Sequence, residues 1–258
     1  MFVGAAIALS ESGLDKAATD LGVGLPALWA VMTVETKGCG FLPDRRPQIL
    51  FERHIFHRRT GGRFHASAPD LSDAKAGGYG AGGAFQHDRL ERAVALDREV
   101  ALESTSWGLG QVMGFNAADA GYAGVEQMVA AMCGSEDAQF QGMVNFISKK
   151  GLAKYLKQGD WAAFACRYNG EDFQKNKYDT NLEKAHARFA AGPLPSLTVR
   201  TAQLYLMYLG FTPGGVDGWF GVNTQKALEK FQKSRGLEQS GRLDNATLAG
   251  LETAVRAL

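Results

Sequence analysis

Cysteine is scarce in this chain: three residues, Cys39, Cys133 and Cys166, among 258. They are far apart and odd in number, so neither a disulfide framework nor a C-x-x-C site is written here. Free thiols accord with folding in the cytoplasm. An excess of either charge is also lacking, with 28 basic against 27 acidic residues and a net charge of +1. Neutralising a phosphate backbone calls for a concentrated basic surface, so nucleic acid is not expected as a partner. The local basic pairs Arg45–Arg46, Arg58–Arg59 and Lys149–Lys150 read as solvated faces. No apolar run is long enough to span a membrane, so stable membrane insertion is not expected. The opening FVGAAIAL is apolar but short, with no Lys or Arg before it. A signal peptide needs a basic start and a cleavage site, so this stretch reads as a first helix or tail, and delivery outside the cytoplasm would need another agent. His54 and His57 are spaced H-x-x-H, but in a strand-like segment with no third ligand nearby. No metal and no cofactor is expected.

What is present is a globular composition, 45% apolar and 21% charged. The length suits one large domain or two ordinary ones. A short helix spans about Ser10 to Leu21, capped by Ser10 or Ser12 and broken by Gly22 and Gly24. Pro26 opens the next helix, where its missing N–H costs nothing. Leu25, Leu28, Trp29 and Met32 recur at helical spacing, and Glu35 lies three residues beyond, on nearly the same apolar face. A lone acid in apolar sequence is costly to bury. Burial and the negative end of the helix both favour its protonated form, the state a general acid needs. The other reading is a capping Glu or one paired with Lys37.

A strand is expected over Gln48–Phe56, apolar on both faces and carrying a second carboxylate, Glu52. Glu52 reads as a second catalytic group or as an ion-pair partner of Arg53 or another Arg. Residues 60–83 are rich in Gly, Ala and Ser, either a flexible hairpin or loop or a substrate-contacting loop with Tyr79 as a stacking platform. A helix is expected over His87–Ser104, then STSWGLGQVMGFN, where glycines permit close backbone approach. Further helices are expected near Val125–Cys133, Glu136–Lys149, from Asp160 to RYNG, and over Thr180–Ala191. GPLPS at Gly192–Ser196 reads as a stiff linker. Beyond it VDGWFGVNTQKAL, from Val216, is repeated as QSGRLDNATLAGL, from Gln239. Gly218 aligns with Gly241, Thr224 with Thr247 and Leu228 with Leu251. Units this short bury a core only by stacking.

Taken together, Glu35-Thr-Lys-Gly-Cys-Gly-Phe, ILFERHIFHR, SWGLGQVMGFN and RYNG resemble the N-acetylmuramidase domain of modular phage endolysins, in the lysozyme superfamily. The order Glu, Gly-Leu-x-Gln-like segment, Tyr-Asn-Gly is similar to goose-type lysozymes and lytic transglycosylases. The likeness covers roughly Leu21 to Gly192. Leu197–Leu251, with Asp217–Gly221, Thr224, Phe231–Gln232 and Gly236–Leu237, resembles the three-helix peptidoglycan-binding module. The resemblance implies a mainly α protein: a lysozyme-like α+β catalytic domain with a small β-hairpin region over residues 1–192, a linker at 193–196 and a peptidoglycan-binding domain over 197–258.

It further implies a peptidoglycan hydrolase cleaving the β-1,4 bond between N-acetylmuramic acid and N-acetylglucosamine, with bacterial lysis as the outcome. Glu35 would be the general acid, with Glu52 the candidate second carboxylate. Asp44 and Glu103 are reserves. Gln111, Tyr168 and Asn169 would line the sugar groove. Trp107 is either core or a sugar platform. In the small module Asp217, Trp219, Phe220 and Gln232 are candidates for wall contact, although Asp217 also suits a turn before Gly218. The expected partner is the glycan strand of peptidoglycan, bound by a monomer. A phage lysin of this kind would be made in the host cytoplasm without a signal peptide and reach the periplasmic wall through a lesion made by another protein. Glu35-Thr36 and Gly108-Leu109-Gly110-Gln111 depart from the Glu-Ser and Gly-Leu-Met-Gln usual in lytic transglycosylases. A transglycosylase making 1,6-anhydro products and a catalytically dead wall-binding or phage structural protein remain the alternatives.

Overall fold

The protein is described by a computed structural model covering residues 1–36 and 38–258, with the backbone alone for residues 171 and 172. Lys37, the alternative partner of Glu35, lies outside the described residues. The chain opens with an extended tail whose Ile7 bridges Ser135, then forms α1 (Glu11–Leu21) and α2 (Leu25–Thr36). Strand β1 (Ile49–Phe51) leads into α3 (Arg53–Arg59). After a long turn-rich segment come α4 (Ala84–Leu96), α5 (Arg98–Glu103), β2 (Thr105–Trp107) and β3 (Val112–Met113). Then follow α6 (Val125–Gly134), α7 (Glu136–Lys149), α8 (Ala153–Gln158), α9 (Trp161–Asn169) and α10 (Tyr178–Ala191). The last three helices are α11 (Leu197–Tyr208), α12 (Val222–Ser234) and α13 (Asn245–Arg256). Among the described residues no single helix is long and apolar enough to cross a membrane.

Six helix starts follow local chemistry. Ser10, Asp97, Ser135, Asp160, Ser196 and Asp244 each accept a bond from an N–H of the first turn. Two expectations change. The strand expected over Gln48–Phe56 stops at Phe51; Glu52 sits at the N-cap of α3, and its side chain makes no cap bond. Ile55 and Phe56 are both buried, which adjacent residues on one helix can achieve against two neighbouring surfaces. The helix expected over His87–Ser104 is split at Asp97, which ends α4 and caps α5.

α2 is buried almost all round, with Leu28, Ala30, Val31 and Met32 inaccessible to solvent. A helix apolar on every side belongs in a core. α10 lies antiparallel along it: Trp29 meets Phe189 near one end, and Glu35 meets Tyr178 at the other. The three strands form an antiparallel sheet in the order β1-β2-β3. Register pairs Leu50 with Ser106 and Ser106 with Met113, while Ile49 pairs with Trp107 and Trp107 with Val112. Because side chains alternate across the pleat, Ser106 and Trp107 must point to opposite faces.

The segment read as a linker is packed. Leu194 lies against the main core, and the Ser196 N–H donates to the Gly218 carbonyl at 3.0 Å. In the C-terminal helices the repeat appears as a hydrogen-bond constellation built twice. Gln203 accepts from the Asp217 and Gly218 N–H groups at 3.0 and 2.8 Å and donates to Thr224 Oγ1 at 3.1 Å. Gln232 accepts from the Gly241 N–H at 2.9 Å and donates to Thr247 Oγ1 at 3.0 Å. Gln232 is fully buried, so it cannot touch the wall, and its expected wall contact is corrected to a structural pin. Asp217 accepts from Gln203 and from the Trp219 N–H, both at 3.0 Å, and so sets the turn. Trp219 packs against the main core beneath the Arg188 guanidinium, in the seam between modules. Phe220 alone of the four projects to solvent, at 47% exposure.

Gln232→Ala orphans several buried polar groups, each worth about 1–3 kcal/mol. It is expected to lower the thermal transition by several degrees, whereas Phe220→Ser leaves it nearly unchanged; differential scanning calorimetry compares them.

Candidate active site

One cleft of about 350 Å³ opens between the sheet and the α2–α9 side of the large domain. Glu35, Glu52, Gln111, Tyr168 and Asn169 all line it, together with Leu50, Ser106 and Met113 from the outward face of the sheet. Pleat parity explains both the presence of Ser106 and the exclusion of Trp107. Trp107 is wholly buried, its Nε1–H donating to the Leu102 carbonyl at 3.1 Å and its ring meeting Phe2 edge-on. It is a core residue and not a sugar platform.

Glu35 is the penultimate residue of α2 and lies at the cleft wall. Burial pushes its carboxyl up to about 7, partly offset by the Tyr178 hydroxyl, which donates to Oε1. Loss of hydration penalises the anion, and a donor to the anion restores part of that loss. Tyr178 is the first residue of α10 and is itself hydrogen-bonded by the Asn169 side chain. Sequence reasoning missed it. The available signal was a stripe of Tyr178, Leu182 and Phe189, all buried against α2, with a hydroxyl at its leading end.

Glu52 has a parallel environment from different elements. Burial raises its carboxyl above the usual range; His54, with Nδ1 3.0 Å from Oε2, and the Tyr79 hydroxyl pull it back. The Arg53 expected as its partner instead lies 3.7 Å from Asp73. Tyr79 is therefore not an open stacking platform: its hydroxyl is turned onto Glu52, and its carbonyl accepts from Gln86 and Arg89 at 2.7 and 3.0 Å. Each carboxyl thus has a tyrosine hydroxyl, but only Glu52 has a histidine whose protonated form favours the anion. The reserves lie elsewhere, Asp44 bound to Arg46 and Glu103 to Arg59.

Gln111 forms the turn between β2 and β3 with φ +46, a left-handed conformation unusual for a non-glycine residue. Its amide is committed internally: Oε1 accepts from Ser106 at 2.8 Å, and Nε2 donates to Gly108 at 2.8 Å and Gln48 at 3.2 Å. Tyr168 donates to the Gly110 carbonyl at 2.6 Å and stacks on Phe164. These two residues shape the wall. Asn169 is exposed at the mouth.

Tyr178→Phe removes the donor that stabilises ionised Glu35. The Glu35 pKa is expected to rise further, which a carboxyl-carbon NMR titration measures; an unchanged or lowered value would contradict this geometry.

The chain matches the N-acetylmuramidase family over residues 24–190 and the peptidoglycan binding domain family over residues 196–251. It is similar to the solved structure of the endolysin of Burkholderia phage AP3, at 42% identity over 71% of each chain with a TM-score of 0.65. Among curated proteins no significant match is found. Two carboxyls in one cleft, a family match over most of the chain and a second family match over its C-terminal helices agree: this chain belongs to the N-acetylmuramidase family and is a peptidoglycan hydrolase of the muramidase type, with an appended peptidoglycan-binding module.

Proposed function

We propose that the chain cleaves the β-1,4 bond between N-acetylmuramic acid and N-acetylglucosamine, with Glu35 as general acid and Glu52 as its anionic counterpart. The observation that carries this reading is the unequal setting of two carboxyls in one cleft. Glu35 is held near 7 by burial, with a tyrosine as its hydrogen-bond partner, while Glu52 sits beside His54. Paired titratable groups in unequal environments divide acid and base roles. Glu35 passes its proton to the glycosidic oxygen as the bond to the anomeric carbon breaks. Glu52 offsets the positive charge developing at that carbon and accepts the proton of the attacking water. Asn169, bonded to Tyr178 and exposed at the mouth, offers the rest of its amide to the sugar, and Gln111 and Tyr168 supply the rigid wall.

Residues 1–192 form the catalytic domain in this reading, and residues 197–258 hold it to the wall and raise the local substrate concentration. Phe220 is the wall-contact residue of that module. The protein works as a monomer and reaches the wall after a separate protein opens the membrane.

Glu35→Gln is expected to abolish lysis of permeabilised cells while leaving cosedimentation with purified peptidoglycan intact. Lysis at the wild-type rate would remove Glu35 from the reaction. Mass spectrometry of the products distinguishes hydrolysis, giving reducing ends, from a transglycosylase, giving 1,6-anhydro ends. The same variant has a stability signature. A carboxyl raised from 4.5 to about 7 on folding stabilises fully below 4.5 and loses that contribution as pH rises through about 7. The loss is on the order of 1–3 kcal/mol after allowance for partial exposure. Glu35→Gln should therefore melt higher than wild type at pH 8, with the difference vanishing by pH 4.

A further inference from the structure

Arg200 is the fourth residue of α11 and belongs by sequence to the wall-binding module, yet it is completely buried and faces the large domain. Its partner Glu136, the first residue of α7, is completely buried too. The pair is bidentate, with Nη1 to Oε2 at 2.5 Å and Nη2 to Oε1 at 2.6 Å. The same guanidinium donates from Nε to the Gly38 carbonyl at 2.9 Å, and Nη2 donates there as well. The same carboxylate accepts from the N–H groups of Gly40 and Leu9, both at 2.9 Å. The groups gripped from the module therefore belong to the turn that ends α2, three residues beyond Glu35. Gly38 donates its own N–H back to Met32 of α2 at 3.2 Å, and at φ +87 it lies against the module, where a Cβ would stand 3.3 Å from the Val216 carbonyl.

We propose that Arg200 is a positioning residue for the muramidase reaction: through Glu136 and the Gly38 carbonyl, the wall-binding module fixes the end of the helix that presents Glu35 to the cleft. The module is then part of the catalytic frame as well as an anchor. The guanidinium suits this task because its planar fork meets the carboxylate with two nitrogens and a backbone carbonyl with a third. A lysine keeps the charge but cannot hold both partners in one plane. The inference rests on the reading of Glu35 as the acid.

The test compares full-length wild type, Arg200→Lys, Leu251→Ala and Glu35→Gln on soluble peptidoglycan fragments, well below each melting transition. Leu251 is buried in the three-helix core with Leu206, Leu228 and Phe231, so its truncation weakens the module within its own core while leaving every clamp residue in place. Arg200→Lys is expected to lower kcat about 10- to 100-fold, the scale of a small misplacement of a reacting group, with KM within about twofold and wall cosedimentation unchanged. Leu251→Ala should keep kcat within about twofold, since it removes no interaction made at the transition state. Wild-type kcat in Arg200→Lys, or an equal loss in Leu251→Ala, would overturn the proposal. If Arg200→Lys does not fold, Gly38→Ala strains the same turn from the other side and should give the same fall in kcat; full activity there overturns the proposal equally. An active Glu35→Gln would overturn both this inference and the reading of the site, whereas an inactive Glu35→Gln beside a fully active Arg200→Lys would overturn this inference alone.

Discussion

The Glu136 carboxylate is the point at which three otherwise separate parts of the chain are tied. Leu9 of the N-terminal tail, Gly40 of the turn after α2 and Arg200 of the C-terminal module all donate to it. An isolated carboxylate at full burial costs several kcal/mol of hydration. Here two backbone N–H groups and two guanidinium nitrogens replace the lost water, so the charge is tolerated only with all three segments in place. Loss of any one leaves a buried charge short of donors, and breaking such a pair typically costs about 3–5 kcal/mol. A joint apolar cluster spreads from the same point, with Ala6 and Ala8 of the tail and Cys39 and Phe41 of the turn packed on Leu204, Tyr208, Val216 and Val255. The Tyr208 hydroxyl donates to the Ala6 carbonyl at 3.0 Å within it. The same burial drives the Cys39 thiol up to about 12, which keeps it an inert packing group.

The cleft is shaped by the opposite use of burial. Glu136 is paired and saturated, but Glu35 meets a neutral hydroxyl, that of Tyr178. That arrangement costs stability above neutral pH and in return keeps a proton available near pH 7, where an acid is useful. The two glutamates differ in the donors that tertiary structure brings to them and not in their own chemistry. The rigid wall opposite depends on Gln111, whose left-handed backbone is stabilised by three side-chain bonds to its own hairpin and to Gln48.

Much of the helical framework was legible because its signals are local. Ser10 caps one helix, Asp160 starts another, Pro26 opens a third, and the apolar run of α2 could belong only to a core. The internal repeat was legible through Gly218 and Gly241, but its cause was not. Gln203 and Gln232 lie on preceding helices at unequal distances from their turns, and only the fold reveals that they do the same work. The split at Asp97 and the early end of β1 are boundary effects that depend on what Ile55, Phe56 and the caps meet in space.

The sequence by itself determined the class of protein, the two-module order and the unusual setting of Glu35, since a carboxylate at the end of an apolar helix is costly wherever that helix is buried. Tertiary structure alone decided the rest of the site. Pleat register sent Trp107 inward and Ser106 outward, Gln86 and Arg89 of α4 held the Tyr79 carbonyl while its hydroxyl met Glu52, and the antiparallel packing of α10 on α2 set Tyr178 against Glu35. Arg200 shows the limit most sharply. Within its own helix it is one more surface-type residue, and its burial depends on Glu136 and the Gly38 carbonyl, which lie 64 and 162 positions away in the chain. A side chain's partners at such separations are set by how helices dock, which no local pattern encodes.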